Sequence, residues 1–252
     1  MQFTLLVVIS SLFIVHSANA ILLPLLVGVL SQHRRLQEPL PPLSFLLMQH
    51  YLSRNVTIQN AVHLGRSALQ VVYTGGQPNY DAGPMQSSGY VELPLTTFYE
   101  GTIDVDIAAE RNNRITEPER AAAAGIAFRI QSSSDQYELV CLRTANGRFN
   151  LPPPSTDRLG RAIQYTSLPK WTAGTLRDQF PGRYEAAAKI GERRWNHVSI
   201  SVRNNTLGVY IDGHPTPVIQ SDLLGTNARG SFAYWVDDGT NAYFTNLRIV
   251  EM

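Results

Sequence analysis

Arg129 and Glu138 are the residues in this chain whose type and placement first suggest chemistry. They lie within Gly125-Ile-Ala-Phe-Arg-Ile-Gln-Ser-Ser-Ser-Asp-Gln-Tyr-Glu-Leu-Val-Cys-Leu-Arg143. Two β-prone runs there flank Ser132-Ser133-Ser134-Asp135, a polar set that suits a turn, so the segment reads as a β-hairpin. By alternation Phe128 and Ile130 share one face, and Ala127, Arg129 and Gln131 the other. In the second run Glu138, Val140 and Leu142 alternate with Tyr137, Leu139, Cys141 and Arg143. The turn then brings Arg129 and Glu138 onto one face, outside the sets that hold Phe128 and Leu139. A guanidinium and a carboxylate among apolar neighbours must pair or take a polar ligand. A structural ion pair and a ligand site both fit.

Asp104 and Asp106 are the other carboxylates that could act. At i and i+2 on a strand they share one face, roughly 6–7 Å apart by strand rise. With Glu138 they would form an acid/base set, and a retaining glycosidase needs two carboxylates about 5–5.5 Å apart. The competing reading puts Ile103, Val105 and Ile107 in the core and both aspartates toward solvent. The stretch 144–182 carries Arg148, Arg158, Arg161, Gln164, Tyr165, Trp171 and Arg177, with Tyr184 just beyond it. Aromatic rings stack on a pyranose while arginine, amide and carboxylate groups hydrogen-bond its hydroxyls, so Gln164, Tyr165 and Trp171, with Trp235, are ligand-binding candidates beside Arg129 and Glu138. A decorated surface loop is the alternative. The six histidines have no metal-ligand spacing, and no metal site or cofactor is expected from them. Asp237-Asp238-Gly239 would suit a calcium loop, and equally an ordinary turn. The single cysteine, Cys141, falls mid-strand and reads as a buried, inert thiol.

The elements that position these groups are short. Strands are expected near 55–63, 67–73, 88–93, 101–109, 124–131, 136–143, 162–167, 183–190, 195–203, 206–212, 229–236 and 241–250, with one helical turn over Glu117–Ala124. This spacing, without a long helical period, predicts an all-β sandwich. A hairpin across Arg203-Asn204-Asn205 would set Asn204 at an exposed tip. Asn204-Asn205-Thr206 and Asn55-Val56-Thr57 both fit the N-glycosylation pattern. Residues 21–54 read as an apolar, proline-broken connector. Phe3–Val15 is an apolar run followed by Ala18-x-Ala20, the form of a signal-peptidase site, so residues 1–20 are expected to be a signal peptide and the protein secreted. Retention of the apolar residues 3–30 would instead give a membrane anchor. Of 252 residues 44% are hydrophobic, enough for a sizeable core, and a net charge of +1 without a basic block argues against nucleic acid as a partner.

The order Phe98-x-x-Gly101-Thr-Ile-Asp-Val-Asp106, Gly125-Ile-Ala-Phe-Arg129, Tyr137-Glu138, Trp195-Asn-His-Val198, Val209-Tyr-Ile-Asp-Gly213 and Ala242-Tyr-Phe-Thr-Asn-Leu247 resembles the concanavalin A-like lectin/glucanase superfamily. Within it the chain most resembles laminin G-like and 3-keto-disaccharide hydrolase-like domains, over residues 55–252. The resemblance implies a two-sheet jelly-roll β-sandwich whose concave face often meets glycans. The Glu-x-Asp-x-x-Glu strand motif of the superfamily's glucanases is absent. Two functions follow: a secreted carbohydrate-binding or interaction module that meets a glycan or glycoprotein on the concave face, or a glycoside hydrolase acting on an oligosaccharide or polysaccharide with Glu138 or Asp106.

Overall fold

The structure, a computed structural model, describes residues 52–75, 88–112, 121–132, 135–225 and 228–252. The chain divides into two units, Met1–Gln37 and Glu38–Met252, and every described residue belongs to the second. The expected signal peptide, the connector up to residue 51, the first half of the expected helical turn at 117–124, and Ser133-Ser134 lie outside the described residues; at the other end of that turn Ala123 and Ala124 are strand, not helix. No described helix is long and apolar enough to cross a membrane.

Strands appear near the expected places, with the expected 183–190 reduced to Glu185–Ala186 and two short strands, Leu52–Arg54 and Ile219–Asp222, that alternation did not foretell. The first half holds β1 (Leu52–Arg54), β2 (Val56–His63), β3 (Arg66–Tyr73), β4 (Ser88–Phe98), β5 (Gly101–Arg111), β6 (Ala123–Ile130) and β7 (Tyr137–Arg143). The second half holds β8 (Ile163–Leu168), β9 (Glu185–Ala186), β10 (Asn196–Arg203), β11 (Thr206–Ile211), β12 (Ile219–Asp222), β13 (Gly230–Asp237) and β14 (Thr240–Glu251). Two short helices, α1 (Thr156–Leu159) and α2 (Ala173–Gln179), flank β8.

The strands form two seven-stranded sheets, ordered β1-β4-β13-β6-β7-β8-β9 and β12-β11-β10-β5-β14-β3-β2. Every pairing is antiparallel. The non-consecutive order makes a jelly roll, in which β13 and β14 each lie inside one sheet. In β10, buried Val198, Ile200 and Val202 alternate with half-buried His197, Ser199 and Ser201. Each such strand contributes its apolar residues to one shared core, with Ile103, Val105, Ile107, Phe128, Val140, Leu142, Phe232 and Phe244 among its members. At about 25 cal/mol per Å² of apolar surface, that burial is the main force holding the sheets together.

Turns follow their sequences. Asn204 and Asn205 both have positive φ (45° and 62°), the type I′ geometry that matches strand twist, and close the β10–β11 hairpin as expected. Leu64 and Gly65 (47° and 76°) close β2–β3 in the same way.

The first sheet departs from simple alternation at Arg129. This residue adopts φ +54° in a bulge where β13 shifts register, so that Phe128 faces the core while Ile130 joins Ala127 on the outer face. The expectation that Phe128 and Ile130 share a face is therefore corrected. The outer face carries its own buried apolar cluster, which includes Tyr90, Ala127, Leu139, Cys141, Ala233 and Trp235. There burial pushes the Cys141 thiol up to about 11, so it stays protonated.

Candidate functional site

Glu138 turns inward. It shares the core face with Val140 and Leu142 and pairs across the ladder with Phe128, where the sequence reading set it apart from Phe128. The bulge explains the difference, because one inserted residue re-aims everything after it. Although only 3% exposed, Glu138 is held by a directed relay. The backbone N–H of Leu224 donates to the Tyr165 hydroxyl at 2.9 Å, which leaves the phenolic hydrogen free to donate to Glu138 Oε2 at 2.6 Å. Burial raises the Glu138 carboxyl above its ordinary range; the Tyr165 bond, the Arg129 charge, the Gly225 N–H and Ser167 offset this in part. Tyr165 is itself driven well above the usual phenol range, by burial first and then by the Glu138 charge. Gly225 lies against this carboxylate so closely that an added Cβ would collide with Glu138 Oε1 and come within 2.8 Å of Ser167 Oγ. A larger residue there would have to displace the Glu138 carboxylate.

Arg129 stands beside the same cleft. Its Nε and NH2 groups donate to the Tyr99 carbonyl at 2.9 and 2.5 Å, and its guanidinium lies 4.9 Å from the Tyr99 ring centroid. Burial lowers its pKa and the Glu138 charge opposes that. Between these groups opens a cleft of about 200 Å³, lined by Arg129, Gln136, Glu138, Ser167, Lys170 and Trp171 among others. It is smaller than the roughly 300–1,000 Å³ of drug-sized pockets, which suits a small ligand or one residue of a longer one. Trp171 is supplied by the turn after β8. Lys170 covers one side of its indole at 4.7 Å, and Phe180 packs at 5.9 Å. Helix α2 fixes that turn: the Thr172 side chain accepts the Thr175 N–H at 3.2 Å as N-cap, and Leu176 is buried in the core.

Of the expected ligand residues, Arg129, Glu138 and Trp171 line one cleft, and Tyr165 supports it from below. Gln164 and Trp235 do not join them. On β8 Tyr165 points into the core, so Gln164 points to the outer face, where Arg143 donates to its Oε1. Trp235 lies on that same outer face, in register with Tyr90. The arginines of 144–182 are largely framework. Arg143 and Arg177 converge on Glu185 at 2.8 and 2.5 Å, Arg158 donates to Asn146 at 3.0 Å, and Arg161 pairs with Asp157 at 2.9 Å. The two arginines outweigh the effect of burial on Glu185 and lower its carboxyl.

Asp104 and Asp106 face outward from the second sheet, with Ile103, Val105 and Ile107 inside. Glu138 faces the interior of the sandwich, so the acid/base set of Glu138 with Asp106 or Asp104 is not assembled. The sheet itself stands between them. Asp106 instead anchors a cluster that sequence reading missed. His197 Nδ1 lies 2.7 Å from its Oδ1, while Asn246 Nδ2 (2.8 Å) and Arg66 both donate to Oδ2. Burial alone would raise this carboxyl, but the three hydrogen bonds outweigh it and hold it at about 2. The Asp106 bond in turn raises His197, against its partial burial. Nearby, Arg66 lies 4.6 Å over the Trp195 ring and His63 stacks on Tyr243 at 3.8 Å. The partners of Asp106 lie 40, 91 and 140 residues away in the chain, so only the β10–β5–β14–β3 pairing brings them together.

Asn55 and Asn204 are both exposed, Asn204 at its hairpin tip. Asp237-Asp238-Gly239 forms the turn from β13 into β14. Among the described residues no three His, Cys, Asp or Glu side chains converge as a metal would require.

No family model matches the sequence, and no curated protein is similar to it in sequence. Solved structures are similar in fold. The carbohydrate-binding module CBM66 from Bacillus subtilis superposes with a TM-score of 0.51 at 12% identity, over 78% of this chain and 92% of that one. A Bacillus subtilis protein of unknown function with a galectin-like fold gives 0.46 at 9% identity, over 81% and 91%. The Bacillus licheniformis beta-glucanase gives 0.46 at 10% identity, over 85% and 97%. At these identities the likeness is one of architecture: the domain is a two-sheet jelly-roll β-sandwich.

Proposed function

We propose that this domain is a secreted carbohydrate-binding module whose ligand enters the cleft between the β6–β7 hairpin and the Trp171 turn. The observation that carries the reading is the convergence of Arg129, Glu138, Ser167 and Trp171 on one half-open cleft. A tryptophan beside a few directed polar groups is the chemistry that recognises a sugar ring and its hydroxyls. A fold shared with a carbohydrate-binding module is in keeping with this. The finer likeness to laminin G-like or 3-keto-disaccharide hydrolase-like domains, a glycan or glycoprotein partner, and glycans at Asn55 and Asn204 belong to the same proposal. Calcium has no role in it.

The test is a glycan array with a parallel hydrolysis screen, followed by calorimetric titration of any hit. The wild type is expected to bind without cleaving. Trp171→Ala removes the stacking face and should weaken binding at least about tenfold, the equivalent of 1.4 kcal/mol. Glu138→Gln should weaken it by about 1.5–3 kcal/mol, the worth of a charged hydrogen bond. A thermal melt controls for folding. If Glu138→Gln melts earlier but binds equally well, Glu138 is a structural residue and the cleft is not the site.

A further inference from the structure

The loop after β7 holds hydrocarbon out into water on a braced frame. Phe149 is 47% and Leu151 92% exposed, and Pro152 and Pro153 are exposed beside them. The Arg148 and Phe149 N–H groups donate to the Ala188 and Ile190 carbonyls, both at 3.0 Å. Asn150 Nδ2 donates to the Thr144 and Gly147 carbonyls at 2.7 and 2.9 Å, and its Oδ1 accepts the Glu192 N–H at 3.0 Å. Gly147 packs so closely that an added Cβ would collide with the Ile190 carbonyl. Pro152-Pro153-Pro154 then stiffens the exit, because each ring fixes φ. Leu151 buries almost nothing, so it gives the fold no stability; an ordered apolar tip of this kind marks a surface that meets something.

Cations border the tip. The Arg194 guanidinium lies 4.1 Å from the Phe149 ring centroid. Arg148 and Lys189 are exposed on the two segments that the backbone bonds tie together, and the Arg193 side chain is 79% exposed. The carboxylates around them are already engaged: Glu192 by Arg111 at 2.7 Å, Asp157 by Arg161 at 2.9 Å and Glu110 by Arg193 at 3.2 Å. Among the described residues Arg148 and Lys189 have no ion-pair partner. The tip therefore joins bare hydrocarbon to positive charge that nothing in the domain neutralises.

We propose that residues 148–153 dock the domain on an anionic phospholipid bilayer, with Phe149, Leu151 and Pro152 entering the boundary between headgroups and acyl chains while Arg148, Lys189 and Arg193 meet lipid phosphates. Charge complementarity selects this occupant. Apolar side chains that enter to a depth of about 5–10 Å and basic ones that stay among the headgroups are the two contributions that hold a peripheral protein on such a surface. A protein partner would need both a socket shaped to a projecting tip and carboxylates set around it. A bilayer yields to the shape and carries its negative charge everywhere. Strand β7 runs from Tyr137–Glu138, at the cleft, to Arg143, where this loop begins. A docked tip thus leaves the cleft at the far end of the strand, and the proposal stands or falls independently of ligand binding there.

The experiment is co-sedimentation of the full chain with phosphatidylcholine vesicles, with and without about 25% phosphatidylserine. The wild type should pellet with the anionic vesicles and be released by salt. Leu151→Asp should weaken that binding at least about tenfold with an unchanged Tm, because the site is already open to water. Arg148→Glu with Lys189→Glu should weaken it and remove most of its salt dependence. The chain also carries the apolar run at residues 3–30, so a second readout is placed on the tip itself. Leu151→Cys and Val62→Cys, the latter 77% exposed on the β2–β3 hairpin, are each labelled with a polarity-sensitive dye; Cys141 is buried and gives no background. Emission should shift to the blue with anionic vesicles at position 151 and stay unchanged at 62. A wild type that does not pellet with them, binding that Leu151→Asp leaves intact, or a dye at 151 that fails to shift would each overturn the proposal. So would a Leu151-dependent self-association in the absence of vesicles, which would make the tip a contact between copies.

Discussion

Asp106 illustrates how a single side chain can mislead when read alone and inform when read with its partners. Its carboxylate is the knot of four strands: β3 gives Arg66, β5 the carboxylate, β10 His197 and β14 Asn246. Asp106→Asn should cost about 2–3 kcal/mol in urea unfolding, since charged hydrogen bonds are lost around a group that is nearly buried. The pH dependence has a definite sign. A carboxyl held at about 2 when folded, against an unfolded value near 4, stabilises the protein above about pH 4 and loses that contribution as pH falls toward 2. His197 is raised, so its contribution is complete below its unfolded value near 6.5 and is lost as pH rises through the folded one. Melting temperature followed from pH 2 to 9 should fall at both limbs in the wild type, and both falls should shrink in Asp106→Asn. Equal acid limbs in the two proteins would refute this account. Little of this cluster was legible in the sequence, because its members are scattered and each looks like an ordinary strand residue. Arg129 and Glu138 were legible as an anomaly, charge inside an apolar hairpin, but not in their orientation. Nothing in Phe-Arg-Ile announces a left-handed arginine, and alternation cannot count across a bulge.

At the scale of elements the sequence was more open. Strand β10 and its hairpin with β11 were readable in place, faces and turn, because Val-x-Ile-x-Val and Leu-x-Val-x-Ile repeat with period two and Asn-Asn suits a type I′ turn. That turn can be tested. Both asparagines occupy positive φ, so Asn205→Gly should be neutral or slightly stabilising, whereas Asn205→Val should cost about 1–2 kcal/mol, the penalty of a left-handed conformation at a side chain. Thermal denaturation of the two variants checks it, and equal melting temperatures would refute the turn assignment. Strand β12 and helix α2 went unread for opposite reasons. Ile219–Asp222 is too short to establish a period, and Ala173–Gln179 buries only Leu176, so no apolar stripe marks it. Yet α2 orients Trp171. A wall of the proposed site thus rests on an element held by one cap, one leucine and the Arg177–Glu185 ion pair.

The molecule as a whole is a two-sheet jelly roll, and far-UV circular dichroism of the purified protein should show a β-dominated spectrum; a helix-dominated one would contradict the architecture. Both the fold class and the strand count were nearly complete from pattern alone, since each half-buried strand must declare its face. What pattern could not provide was the strand order, which depends on pairings between distant segments. That order has a consequence for how the protein is made. The last two strands, β13 and β14, are inserted between β4 and β6 in one sheet and between β5 and β3 in the other. Until residues 230–251 have left the ribosome, each sheet consists of two halves with no seam between them. The domain therefore cannot complete its core before residues 230–251 are available. Until those two strands arrive, the apolar faces of their neighbours stay uncovered, the kind of surface through which unfinished chains aggregate.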